Sequence, residues 1–331
     1  MNASGTTPPA AVCMGEILID FMAAESGVHL TEAETFKRKP GGAPANVAVG
    51  LRRLGVASAF VGMVGDDAFG EVLRGTLETD NVDTRSLATC TTQPTTLAFV
   101  SVGEKGVPSF SFYRHPGADL SLRPEDIEVS VFEQAQVFHF GSLSLVDSPG
   151  YDATWHALKL AREHGAFVTY DPNFRPALWA DRERARARML EPLGAVDLLK
   201  VSEEELALLS GTDDIEAGCA TLAGHGPRHI MVTQGAEGLS AWTQGALWHV
   251  PSASVEVVDT TGCGDASMAG IITDLLRRHG RLEPGMQVAP EKLRAAMRYG
   301  NRCAGITATR LGAIPALPRA EEVPPEDLGN A

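Results

Sequence analysis

Basic residues are scarce in this chain. Lys and Arg number 28 against 42 Asp and Glu, a formal charge of −14. That leaves no basic footprint for sequence-independent nucleic-acid binding, although a locally positive pocket can still hold an anion. Long apolar runs are missing as well: none reaches the ~18–20 residues that a membrane span requires. Met1 to Pro9 has neither a basic segment nor an apolar core, so no secretory leader is expected and the chain reads as cytoplasmic. The five cysteines, Cys13, Cys90, Cys219, Cys263 and Cys303, are scattered and contain no C-x-x-C. They make neither a disulfide framework nor a zinc site, and they suit a reducing compartment. The nine histidines show no metal-ligand spacing. G-x-x-x-x-G-K-[ST] is absent, which excludes a P-loop enzyme. No G-x-G-x-x-G follows the first strand, which removes most of the support for a nicotinamide dehydrogenase. H-E-x-x-H and G-x-S-x-G are absent too, as is any short-period repeat.

What is present is a steady alternation of apolar runs and amphipathic helices. Ala10 to Phe21 reads as a first strand, nearly continuous in apolar residues, as for a strand covered on both faces. Further strands are expected at Ala59–Gly65, Val137–Gly141, Phe167–Asp171, Val196–Val201 and His229–Thr233. Between them lie helices such as 151–164 and 181–190, and a long one runs from Glu291 to about Thr309. Thr96–Val102 and Pro108–Tyr113, joined by Glu104-Lys105-Gly106, carry a hairpin signal with period-two alternation. This order predicts an α/β fold with three α/β/α layers and a mostly parallel central sheet. No break in composition splits the chain, so residues 1–331 are expected to form one domain. A small β-sheet lid is expected from about 20–40 and 95–117.

The chain is organised around Asp259-Thr260-Thr261-Gly262-Cys263-Gly264-Asp265-Ala266-Ser267. It lies between an expected strand, Val255–Val258, and an expected helix from Met268 to Leu276. Amides at such a corner lack partners and point outward, a ready anion site, and the two glycines let the backbone approach a ligand. Asp265 has two readings: a helix N-cap, or a proton acceptor for a hydroxyl that attacks phosphorus. Asp20 is either a surface acid at a strand end or an acceptor for neighbouring sugar hydroxyls. Asn46, in the first turn after Gly41-Gly42-Ala43-Pro44, either supports the turn or meets those hydroxyls.

Gly41-Gly42-Ala43-Pro44-Ala45-Asn46-Val47-Ala48 and Asp259-Thr260-Thr261-Gly262-Cys263-Gly264-Asp265 together resemble the two signatures of the ribokinase-like (PfkB) sugar kinases. The strand–helix order agrees along nearly the whole chain. The variants Pro40-Gly41-Gly42-Ala43-Pro44-Ala45-Asn46, Phe112-Tyr113-Arg114 and Tyr170-Asp171-Pro172-Asn173-Phe174-Arg175 are most similar to bacterial fructokinases. The resemblance implies ATP-dependent phosphorylation of a primary sugar hydroxyl, with Mg²⁺. It makes Asp265 the base and the Gly262, Cys263, Gly264 and Asp265 amides an anion hole. Asp20, Gly41, Gly42 and Asn46 would bind sugar, with Arg114 and Arg175 near the same pocket. Lys200, Glu205, Thr233, Gly235, Gly238 and Asn301 fall where the family holds the nucleotide. Asp259, Thr261 and Gly312 match its monovalent-cation loop, for K⁺. A homodimer through the lid is expected, because the lid strands have edges that need cover.

Three departures stand out. Cys263 replaces a more usual Ala and brings a thiol open to oxidation. Ser202 stands where the family has Asn three residues before Glu205. Ser267 replaces a common Phe. Three rivals remain at this stage. One is a 2-keto-3-deoxygluconate kinase, whose substrate carboxylate Arg114 and Arg175 would pair. The others are a catalytically idle sugar sensor on the same fold and, more distantly, a dehydrogenase.

Overall fold

The computed structural model describes residues 8–25, 27–102, 108–114 and 116–325. The expected turn at Glu104-Lys105-Gly106 lies outside them. The chain alternates as the apolar runs require, but its first run is two strands. β1 (Ala11–Met14) ends at Gly15, and β2 (Leu18–Ala23) belongs to a different sheet. The break falls where Gly15 takes φ 149°, and the apolar pattern runs straight through it. β3 (Phe36–Gly41) follows, a basic strand that the apolar pattern does not announce. Next come α1 (Ala43–Arg53), β4 (Ser58–Gly65), α2 (Ala68–Thr79), β5 (Leu87–Cys90), β6 (Leu97–Val102) and β7 (Pro108–Tyr113).

The second half runs β8 (Val137–Phe140), α3 (Gly150–Glu163), β9 (Phe167–Tyr170), α4 (Arg182–Leu190), β10 (Leu198–Ser202) and α5 (Glu203–Ser210). It continues with α6 (Ile215–Ala223), β11 (His229–Thr233), β12 (Gly238–Thr243), β13 (Ala246–Pro251), α7 (Cys263–His279) and α8 (Pro290–Ala308). The expected strand at Val255–Val258 is absent. The Val258 and Asp259 amides instead donate to the Ala308 carbonyl at the end of α8, and Val257 and Val258 are exposed. With no strand beside it to complete a ladder, the β-branched run stays irregular.

The central sheet has nine strands in the order β13-β12-β11-β10-β9-β8-β1-β4-β5. From β11 to β5 all neighbours are parallel, and β12 and β13 are antiparallel additions at one edge. Successive residues of β1 serve opposite cores, as the period of two demands. Ala11 and Cys13 pack with α1, α2, α7 and α8, whereas Val12 and Met14 pack with α3 to α6. Both layers of helix are thereby fixed, and the fold is a three-layer α/β/α arrangement.

The second sheet runs β3-β2-β6-β7. Phe21 stacks on Phe99 at 5.0 Å and meets Phe69 of α2 at 5.8 Å, so one face of this sheet anchors on the body of the protein. Leu18, Asp20 and Met22, alternating with it along β2, line a cavity on the other face. No helix among the described residues is long and apolar enough to cross a membrane.

Candidate active site

The order of the parallel strands reverses between β1 and β8, and ligands of open α/β sheets collect outside the strand C-termini at such a point. A cavity of about 620 Å³ lies there, roofed by the small sheet. Its walls include Asp20, Gly42 and Asn46 on one side. Asp171, Arg175, Lys200, Glu205 and Thr233 come from the ends of the parallel strands. The segment 257–265 supplies the rest.

Asp265 is the third residue of α7, and the helix is capped by Gly262, whose φ of 79° suits glycine. Asp265 is therefore not the N-cap. Its carboxylate accepts from Asn46 Nδ2 at 2.7 Å, across 219 residues of sequence. Burial pushes Asp265 up to about 6. The Asn46 hydrogen bond lowers it, Asp171 raises it, and Lys200 and Arg175 lower it. Beside it, the Gly264 and Asp265 amides have no hydrogen-bond partner among the described residues, whereas the Ala266 amide already donates to the Gly262 carbonyl. The Cys263 amide is engaged by the Thr260 carbonyl at 3.2 Å, so it is removed from the four-amide hole expected from the sequence. The corner folds this way because Asp259 takes the Thr261 amide and hydroxyl on one oxygen, at 2.9 and 2.7 Å, and the Gly312 amide on the other, at 2.8 Å. Two loops are thus tied to one carboxylate.

Lys200 reaches the corner from β10. A methyl group added to Gly264 would stand 3.3 Å from Lys200 Nζ. The ammonium is buried and paired with Asp171. Burial works against its charge, but Asp171, Glu205 and Asp265 more than offset this and raise its pKa. Glu205 accepts the Phe174 amide at 2.6 Å and the Ser202 amide at 2.8 Å, while Ser202 Oγ accepts the Glu205 amide. Ser202-x-x-Glu205 is a capping box for α5. The departure at Ser202 therefore has a local structural role, and Glu205 holds the loop before Arg175. Burial pushes Asp20 up to about 7, lowered by Arg175 and raised by Asp265 and Asp259. Arg175 also lies over the Phe110 ring, 5.9 Å from its centroid. Cys263 is pushed up to about 11 by burial, with Asp259 and Asp265 adding to it. Burial thus works against the thiolate through which the expected oxidation would proceed.

Some expected site residues do not line the cavity. Arg114 does not line the cavity. It is buried and donates to Asp119 through Nε and Nη2, at 2.8 and 2.5 Å, and to the Leu143 carbonyl at 2.9 Å. Asn301 donates to the Val250 and Pro251 carbonyls and braces β13 against α8. Gly235 sits in the turn after β11 and Gly238 opens β12, both outside the cavity walls. Gly238 is needed there because a side chain would strike the Val250 carbonyl at 2.3 Å. Gly41 abuts Asp20, whose carboxylate fills the space a Cβ would take. Conversely, Asp171, which stands inside the Tyr170–Arg175 motif with no role expected of it, and Glu16, which no motif singles out, both line the cavity. Both are acids just past a parallel strand, and that position is the signal that would have found them.

Fold and pocket together define a class: a three-layer α/β/α protein with unpaired amides at a helix N-terminus and a buried carboxylate facing one cleft. A family model described as pfkB family carbohydrate kinase matches residues 9–320. The chain is 41% identical to fructokinase-1 of Oryza sativa subsp. japonica over 313 residues, 94% of this chain and 95% of that protein. Its structure resembles that of a Xylella fastidiosa fructokinase with bound ATP, at TM-score 0.85 and 34% identity, covering 95% of this chain and 96% of the other. It also resembles a double mutant of Vibrio cholerae fructokinase bound to fructose, ADP and potassium, at TM-score 0.84 and 30% identity, covering 96% and 97%. The chain belongs to the pfkB family of carbohydrate kinases and is an enzyme of that class.

Proposed function

We propose that the chain is a fructokinase, transferring the γ-phosphoryl group of ATP to the primary 6-hydroxyl of D-fructose. The observation that carries this is the Asp265 carboxylate, fixed by Asn46 at 2.7 Å beside two free helix-terminal amides. A carboxylate beside an anion cradle suits a proton acceptor, since it would repel a phosphate that was merely bound. Asp265 takes the hydroxyl proton, and the Gly264 and Asp265 amides and Lys200 face the charge that develops on the transferring group. Positioning of the two substrates supplies much of the rest. Asp20, Gly42, Asn46 and Arg175 hold the sugar, and Thr233 with the exposed Val257 and Val258 flanks the nucleotide.

Magnesium fits this donor set in a limited way. Glu205 has both oxygens on backbone amides, Asp171 has one on Lys200, and no cluster of three or more metal-binding side chains exists among the described residues. Such a set suits an ion that keeps most of its water and arrives on phosphate oxygens. Asp171 and Glu205 would flank it, and it would neutralise phosphate charge. For K⁺, the loops joined by Asp259 at Thr261 and Gly312 offer backbone carbonyls. We place the enzyme in the cytoplasm as a homodimer. The free cysteines suit a reducing compartment, and Tyr113 on β7, an edge strand of the small sheet, is 64% exposed.

A neutral sugar is favoured over 2-keto-3-deoxygluconate because Arg114 is engaged by Asp119, leaving Arg175 alone to meet a carboxylate. The test is ATP-dependent ADP release with a panel of free sugars. D-Fructose should give the highest kcat/KM, and preference for the keto-acid sugar would overturn the assignment. Sugar binding without product from any sugar would favour a sensor.

Two further outcomes are expected. Asp20→Ala should raise the sugar KM far more than the ATP KM, as separate substrate titrations would show; equal rises would remove Asp20 from the sugar site. The pH profile should follow Asp265, whose raised value of about 6 divides an inactive acid form from an active carboxylate. The rate should therefore fall about tenfold per pH unit below about pH 6 and level off above it. A flat profile from pH 5 to 8 would contradict that role.

A further inference from the structure

Glu16 sits in the turn from β1 to β2, is 3% exposed, and has no part in the chemistry above. Its Oε1 accepts the amide of Ala43, the first residue of α1, at 2.8 Å. Its backbone carbonyl presses on the residue before: a Cβ on Gly42 would stand 2.4 Å from that oxygen. Main chain and side chain of one residue thus hold the corner that starts α1. One turn along, Asn46 donates to Asp265.

The second carboxyl oxygen is different. Glu16 Oε2 is buried and has no hydrogen-bond partner among the described residues, and Asn46 Oδ1 is in the same condition. Both residues line the same cavity. Each such atom is a desolvation cost in the protein alone. Two unpartnered acceptors on residues of one cavity match a ligand rich in hydroxyl donors. Burial pushes Glu16 up to about 7, while its own amide, the Ala43 amide and Arg114 pull it down and Asp119 pushes it up. Near neutral pH a carboxylate fraction is present, and its Oε2 accepts a hydroxyl hydrogen bond.

We propose that Glu16 is a sugar-positioning residue, with Oε1 fixing the first turn of α1 and Oε2 pairing with a hydroxyl of the acceptor sugar. This rests on the sugar-kinase reading, though not on the choice of fructose. Glu16→Gln tests it. The glutamine oxygen can still accept the Ala43 amide, but the second position becomes an NH₂ that cannot accept. With the sugar that wild type turns over best, the variant should show a sugar KM about tenfold higher, equivalent to about 1.4 kcal/mol. Its ATP KM should match wild type, and kcat should fall much less than sugar KM rises. Glu16→Ala, which also frees the corner of α1, should lower kcat as well.

An active wild type whose sugar KM is unmoved by Glu16→Gln, or a variant with both KM values raised together, would overturn the proposal for Glu16 and leave the kinase reading standing. A wild type silent on every sugar would overturn both.

Discussion

Asp265→Asn is expected to lower kcat by about 10²–10⁴-fold while the sugar KM stays near its wild-type value. The amide cannot take a proton from the attacking hydroxyl, and nothing else is lost. Asn46 still finds an oxygen at residue 265, the α7 cap is Gly262, and the Gly264 and Asp265 amides are main-chain groups. Stability should move the other way. A carboxyl raised from 3.8 to about 6 by burial stabilises the fold below its unfolded pKa, and this stabilisation is lost as pH rises through about 6. The neutral asparagine escapes that loss. Its melting temperature should exceed wild type by more at pH 8 than at pH 5, measured in the same buffers. A variant with near-normal turnover would remove Asp265 as the base. Loss of turnover together with lower stability at pH 8 would make the residue a structural support.

Lys200→Met is expected to have the largest effect on stability, a loss of about 3–5 kcal/mol, because it leaves Asp171 buried without its cation. It should also abolish most turnover, since the ammonium is the charge beside Gly264 at the mouth of the cradle. The two effects separate in the double variant Lys200→Met/Asp171→Leu. With both charges gone, the pair becomes apolar volume, and stability should return most of the way. Activity should not return. Denaturant unfolding read beside ADP release decides this. If the double variant regained turnover along with stability, Lys200 would be a structural partner of Asp171 and no part of phosphate binding.

Much of the fold was legible because parallel strands covered on both faces are short apolar runs, and β4, β8, β9, β10 and β11 are such runs. The division between β1 and β2 was not, since Ala11 to Phe21 remains apolar across the change of sheet. Asp20 consequently belongs to the roof of the cavity and not to the end of a central strand. Val255–Val258 has the composition of a strand, but pairing is a tertiary event, and among the described residues the end of α8 lies alongside instead of a strand. Arg114 shows the same limit. Its sequence neighbourhood resembles a sugar contact, whereas Asp119 and the Leu143 carbonyl, which decide its direction, come together only in the folded chain. The contact of Asn46 with Asp265, across 219 residues, was likewise invisible, although each residue stood in a recognisable turn. Ser202-x-x-Glu205 carries a local capping-box signal, yet on the sequence Ser202 stood only as a departure from the family pattern.

The most direct measurement is a crystal structure of the full chain with D-fructose and a non-hydrolysable ATP analogue. The acceptor hydroxyl should lie about 2.6–3.2 Å from the Asp265 carboxylate. The terminal phosphate should receive the Gly264 and Asp265 amides. A hydroxyl turned away from Asp265, or a phosphate seated elsewhere than on the first turn of α7, would contradict the assignment.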